Sequence, residues 1–441
     1  MNAASAGRTG RPPAAITAIA AIIAAAVCHS ALAGRAAATE NPRDTPAAEA
    51  APADAWPMAR GCLAGTGRSA ASLRLPLAEA WRRDFEKTAF SAAATIADGT
   101  VFIGDLDGTF HAVSLADGTT RWTFKTEAAG FPSAAAVSLD AAHPLVVVGD
   151  DTGVVRGFDA KTGAVRWEYE TDGEISGGPT ILPATPSGSR GTTAAGPAAT
   201  GPRVLIGSQD ASLSCLSLAD GSVLWKHSIA DQIRCSPTVA RTADGDRVFL
   251  AGCDGKLHVI DAANGTEIAA VPIDGPTGTT PATLGDRVFF GTEGGAFFAI
   301  DFVKKNVAWR LQPAGNPQSY RSSAAVAGDV VVVGSRGRAV EAFAMADGGR
   351  RWRHPMRGRV DASPAVVAQA GATDGDTKDA MAPLLTIVAD SAGTIAALNA
   401  ATGEPVWSFD AGGGFSGGAA VAGGRVVIAS DDGTVWCFAA R

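Results

Sequence analysis

The sequence carries no basic stripe. Lys and Arg number 37 against 44 Asp and Glu, a formal net charge of −7 with a pI near 5.4. That balance excludes a general nucleic-acid binder, which needs clustered positive charge to meet phosphates. Beyond residue 33 no apolar run is long enough for a membrane helix. The six histidines are scattered, and neither a Ser-His-Asp grouping nor a zinc-ligand spacing can be read from them. His111 and His258 occupy matching third-strand positions, which reads as packing, so no metal site is expected. Acidic turns such as Asp105-Leu106-Asp107-Gly108, Asp150-Asp151 and Asp431-Asp432-Gly433 lack the spaced ligands of a calcium loop. They recur where hairpins need Asp and Gly.

What the chain does have is one recurring phrase, clearest from Leu145 to Trp167. An apolar run is followed by an acidic turn, a second run, an Asp-Ala-Lys-Thr-Gly turn and a Trp. Short alternating runs between Asp/Gly turns suit antiparallel strands joined by tight hairpins. A closing Trp can cover the neighbouring repeat and bury a large area there. Aligned on that position, the chain reads Trp81, Trp122, Trp167, Trp225, Ile268, Trp309, Trp352 and Trp407, at steps of 41 to 58 residues. Such a period with four strands per unit predicts an all-β fold, an eight-bladed β-propeller of four-stranded antiparallel blades. The last repeat stops one strand short, and the strand around Glu79 to Arg82 is expected to complete it and close the ring, removing the free edges.

In chain order, residues 1–33 read as a signal peptide: Arg8 and Arg11, an apolar stretch from Ile16 to Val27, and the small-x-small site Ala31-Leu32-Ala33. Export to the periplasm or cell surface is therefore expected, with lipidation of Cys28 and membrane tethering as the rival reading. Residues 34–55 are rich in Ala and Pro and are expected to be a disordered leader. Residues 56–77, opening with Trp56-Pro57-Met58-Ala59-Arg60-Gly61, are expected to dock on the propeller, which occupies 78–441. Two long inserts, 183–201 and 369–382, follow the first strand of their blades and carry no chemistry. Five cysteines follow the signal: Cys62, Cys215, Cys235, Cys253 and Cys437. Pairing Ala240 with Val248 places Cys235 opposite Cys253, so a cross-strand disulfide and two buried thiols are the alternatives there.

The phrases Asp159-Ala160-Lys161-Thr162-Gly163-x-x-x-Trp167 and Asn399-Ala400-Ala401-Thr402-Gly403-x-x-x-Trp407 resemble the pyrroloquinoline-quinone (PQQ-like) propeller repeat, in which a Trp-docking motif locks adjacent blades. The resemblance implies one of two activities. Quinoprotein dehydrogenases of this family hold PQQ and calcium at the propeller axis. A BamB-like branch consists of exported, non-catalytic scaffolds. A dehydrogenase needs calcium-binding oxygens, a carboxylate base, a cation on the quinone and an enclosing lid. At the mouth, the turns leading into the innermost strands offer Arg234, Arg321 and Asp361, with Glu174, Tyr320, Arg357 and Arg359 nearby. That set lacks a calcium cluster, and the turns are short. The expectation is a non-enzymatic, monomeric scaffold without cofactor that binds an envelope protein or an extended peptide. The alternatives are a PQQ-dependent dehydrogenase and a carbohydrate or small-ligand binder using Phe90, Tyr320 and Phe415.

Overall fold

The computed structural model describes residues 50–184, 201–312, 317–371 and 382–441. The expected signal peptide, most of the leader and the centres of both inserts lie outside the described residues. Those described form strands and turns, without a helix, arranged as eight sheets in a ring.

The second blade shows how a phrase becomes a sheet. Its strands, Ala136–Val137, Leu145–Gly149, Val154–Asp159 and Val165–Glu170, pair antiparallel in sequence order from axis to rim. All of Leu145–Gly149 is buried because both sheet faces are covered by neighbouring blades. On the outermost strand only Trp167 is buried, since that strand meets a neighbour on one face. The acidic turn is organised by the buried Asp150, whose Oδ1 accepts the backbone N–H of Thr152 and Val154 and the Thr152 hydroxyl. Its Oδ2 takes Arg156 at 2.5 Å. The aspartates here cap hairpins, as turn chemistry requires.

Between blades, each docking Trp donates its indole N–H to a backbone carbonyl of the next blade: Trp81 to Leu115, Trp122 to Ala160, Trp167 to Leu218 and Trp225 to Ala262. Trp309 donates to Met345, Trp352 to Ala400 and Trp407 to Leu77. Six of these indoles lie flat on a glycine, such as Gly163 beneath Trp122, where a Cβ would stand 2.6 Å from the ring. At φ of +74° that glycine is also conformationally suited to its turn. The fourth blade departs from the pattern. Its register sets Ala269 opposite Val259, as Trp167 stands opposite Gly157, while Ile268 falls in the bulge beside it. The alignment on Ile268 is therefore one residue out, because without an indole nothing marked the position.

Leu77–Asp84 pairs antiparallel with Thr434–Ala440 and completes the eighth blade. A strand not expected from the repeat, Arg68–Leu73, lies parallel to Ala365–Gln369 and makes the seventh sheet five-stranded.

The stretch before it lies inside the ring. Trp56 exchanges both backbone hydrogen bonds with Ile96, and the carbonyls of Pro57, Leu63, Ala64, Thr66 and Gly67 accept the N–H groups of Val137, Val239, Thr283, Val326 and Val366. Six innermost strands thereby satisfy an inward-facing donor that would otherwise have no sheet partner. Residues 50–55, read as part of a disordered leader, also bear on the ring: Gly423 donates to Ala53 O, and Ala55 is buried. Apolar clusters fill the spaces between blades, so the core is divided around the ring.

Candidate functional site

Two surfaces at the axis could act on a partner or ligand. The first is closed. The N-terminal stretch comes in beside Gly423 and leaves beside Ala370, both on the face that carries the first hairpin turns. Within the ring Arg60 is buried and donates through Nη2 to Ala324 O at 2.9 Å and Pro364 O at 2.8 Å. Burial lowers its guanidinium to about 10, which still leaves it charged at neutral pH. A recess of about 440 Å³ opens beside this stretch, lined by Pro52, Met58, Leu63, Leu139, Ile181 and Arg241 among others.

The second surface is the mouth at the opposite ends of the innermost strands. Short turns place its side chains, and the structure separates the candidates into three groups. Tyr320 does not belong to the mouth. It is buried against Phe297, and its Cβ sits over Gly291. Burial, with Glu341 beside it at 3.2 Å, pushes its hydroxyl upward. Phe90 and Phe415 at the matching positions are also fully buried, so these rings cannot stack on a sugar. At Tyr320 and Phe415 the next residue of the turn, Arg321 and Ser416, is the exposed one.

A charged ladder forms the second group. Arg336, outside the aligned row of turn residues, forks onto Asp361 with 3.0 Å contacts from Nε and Nη2. Arg321 Nε lies 3.2 Å from Glu293. The bond to Asp361 raises the Arg336 guanidinium, and Glu293 adds to this. Asp431 accepts from Ser416, while burial, with Asp432 and Asp361 nearby, raises its carboxyl. Arg336 had no signal in one chain because it lies in a hairpin turn rather than in the aligned row.

The remaining candidates stand apart from the ladder. Arg234 is held by Gln232 Oε1 through Nε and Nη2 at 3.0 and 2.6 Å. Glu174 accepts from the Ser176 hydroxyl. Arg359 is exposed, with its backbone tied to Ser391.

A calcium–quinone pair would need several carboxylate and amide oxygens free to converge. Here both Asp361 oxygens face Arg336, Glu293 faces Arg321, and the Gln232 oxygen is taken by Arg234. These residues do not fit that cofactor.

At the cysteines the register departs from expectation, while the thiol alternative is the one found. The hairpin pairs Val239, not Ala240, with Val248, because the turn at Thr242–Gly245 is one residue tighter than assumed. Cys235 and Cys253 are both free thiols, as are Cys62, Cys215 and Cys437. Burial pushes the Cys215 and Cys235 thiols up to about 12.

Eight blades, indole docking between them and an axis threaded by the N-terminal stretch define a propeller of the PQQ-like repeat class. The chain belongs to the family described as outer membrane protein assembly factor BamB, which it matches over residues 78–181, 235–375 and 380–441. It is 27% identical over 219 residues to the outer membrane protein assembly factor BamB of Nitrosomonas eutropha, covering 46% of this chain and 48% of that one. To the BamB of Shewanella oneidensis it is 21% identical over 231 residues, covering 48% and 54%. The matches thus span about half the length of these relatives. The crystal structure of BamB from Moraxella catarrhalis shares the fold, with a TM-score of 0.61 at 17% identity, over 82% of this chain and 100% of that one.

Proposed function

We propose that this protein is an exported, non-catalytic scaffold that holds a partner protein or an extended peptide during outer-membrane protein assembly. The observation that carries the reading is the mouth. Its charges are already paired with one another in a fixed ladder, Arg321–Glu293 and Arg336–Asp361, on short turns. Such a surface can meet complementary charge on a protein without reorganising, which favours association rate and specificity. The closed axis supports the same reading, because buried backbone pairs occupy the space a substrate channel would need. Relatives named as outer membrane protein assembly factors support the envelope and the assembly process in this reading. Among the described residues no helix is long and apolar enough to cross a membrane.

The test is photo-crosslinking in cells from positions 234, 321 and 359, followed by fractionation of the envelope. A discrete crosslinked envelope protein from at least one position, lost when charge is reversed at Arg321, is the expected result. Saturable binding of pyrroloquinoline quinone with calcium that raises Tm would overturn the reading in favour of a dehydrogenase. So would recovery of the protein in the cytoplasmic fraction.

A further inference from the structure

We propose that His227, His258 and Glu267 form a binding site for a divalent transition-metal ion of the zinc class, bridging the third and fourth blades. His227 lies on the outermost strand of the third blade, Val223–Ser228, two residues past the docking Trp225. His258 lies on Lys256–Asp261 and Glu267 opens Glu267–Pro272, the third and fourth strands of the next blade. No sequence spacing announces the set. The packing of one blade on another brings it together.

One donor atom from each residue lies within 4.8 Å of the others. Glu267 Oε2 is 2.8 Å from His258 Nδ1 and 3.7 Å from His227 Nε2. Donors around a tetrahedral zinc, each about 2.0–2.2 Å from the ion, stand roughly 3.4 Å apart. The observed separations bracket that value, and the Glu267 side chain, 39% exposed, is free to make the small adjustment. Its exposure also leaves a solvent-facing position for a water.

Two further observations point to an ion. His227 Nε2 is buried with no hydrogen-bond partner, a costly state for a polar atom whose lone pair a metal would use. On His258, Nε2 faces both oxygens of Asp254 at 3.2 and 3.0 Å, with both side chains almost wholly buried. A carboxylate on the far nitrogen fixes the ring and leaves Nδ1 to the ion, which is the usual outer-shell support of a ligating histidine. Two imidazoles and one carboxylate suit zinc or copper, whereas calcium and magnesium take oxygen.

The chain contains its own control. His111 holds the matching strand position in the first blade, as its pairing with Ile103 and that of His258 with Leu250 show. It bonds Asp105 at 2.8 Å and packs on Phe85 at 4.6 Å. The positions matching His227 and Glu267 there are Arg83 and Thr120, so no ligand set forms. Packing accounts for His111 and leaves His227 unexplained.

The test is calorimetric titration of EDTA-dialysed protein with zinc chloride. One ion per chain and a raised Tm are expected. His227→Ala and Glu267→Gln should abolish saturation while still melting cooperatively without zinc, and Asp254→Asn should weaken binding roughly 10- to 100-fold. Cys253→Ser should bind as the parent does. Cobalt(II) should give ligand-field bands without thiolate charge transfer. Absence of saturable zinc binding, unchanged affinity in His227→Ala and Glu267→Gln, or loss of binding in Cys253→Ser would each overturn the proposal.

Discussion

Ala269 and Lys305 have departed from the repeat together. Ala269 stands where the other seven blades place a docking Trp, and Lys305, at φ +59°, stands where six blades place a glycine beneath that indole. The reason is steric. A Cβ on those glycines would lie 2.5–2.9 Å from the ring carbons, so indole and side chain exclude each other. With the indole gone, Lys305 fits, and its amino group reaches Ile268 O at 3.4 Å.

Restoring only half of this pair should therefore fail. Ala269→Trp alone is expected to destabilise, Lys305→Gly alone to change little, and the double variant to exceed their sum by a coupling of about 1–3 kcal/mol. Urea midpoints of the four proteins give the cycle. Additive effects would show that the two positions are independent.

Glycine positions with similar φ should differ in tolerance. Gly163 lies under Trp122, whereas Gly285, at φ +55°, has nothing within 4 Å of its would-be Cβ. Gly163→Ala combines strain with collision and should cost well over about 1 kcal/mol, more than Gly285→Ala, which carries strain alone. Thermal melts decide it, and equal costs would reject the docking argument.

Arg60 is predicted to matter for stability far from any partner. Arg60→Ala strips charged donors from the carbonyls of Ala324 and Pro364, an expected loss of roughly 1.5–3 kcal/mol for each bond. Limited proteolysis should then cut within 50–67 before the blades. Unaltered urea midpoints and cleavage patterns would contradict the threaded arrangement.

The buried thiols set an alkaline limit. Cys215 and Cys235 are raised to about 12 and Cys437 to about 11, from an ordinary 9.0, each chiefly by burial. A raised folded value favours the protonated native state. Its contribution is complete below about pH 9 and declines as pH climbs toward the folded values. Stability should fall from pH 9 upward, less steeply in Cys215→Ala. At neutral pH a thiol reagent should modify Cys253, which is partly exposed, before the four buried cysteines. An alkaline slope unchanged by Cys215→Ala would count against burial as the cause.

The fold was legible because its signal is repeated: Gly-x-x-x-Trp marks one turn and one dock in five copies, and seven docking Trp residues in all outvote local ambiguity. Single-copy features had no such support. The stretch around Arg60 is neither periodic nor apolar enough to announce that it would line the ring. Tyr320 was misplaced because one step along a turn separates a residue packed on Gly291 from one facing solvent. The Cys235 register slipped because Thr242 to Gly245 admits two hairpin lengths, and only the tighter one forms. His227 and Glu267 are 40 residues apart in sequence and join only across a blade boundary.

Closure of the ring has a consequence for timing. Leu77–Asp84 waits for Thr434–Ala440, on the far side of seven other blades, and the stretch before it waits for inner strands as late as Ala365–Gln369. Partners so distant along the chain make closure slow relative to the hairpins within each blade. A nascent chain can build individual sheets but cannot seal the circle, and it therefore stays threadable until Thr434–Ala440 is available to pair.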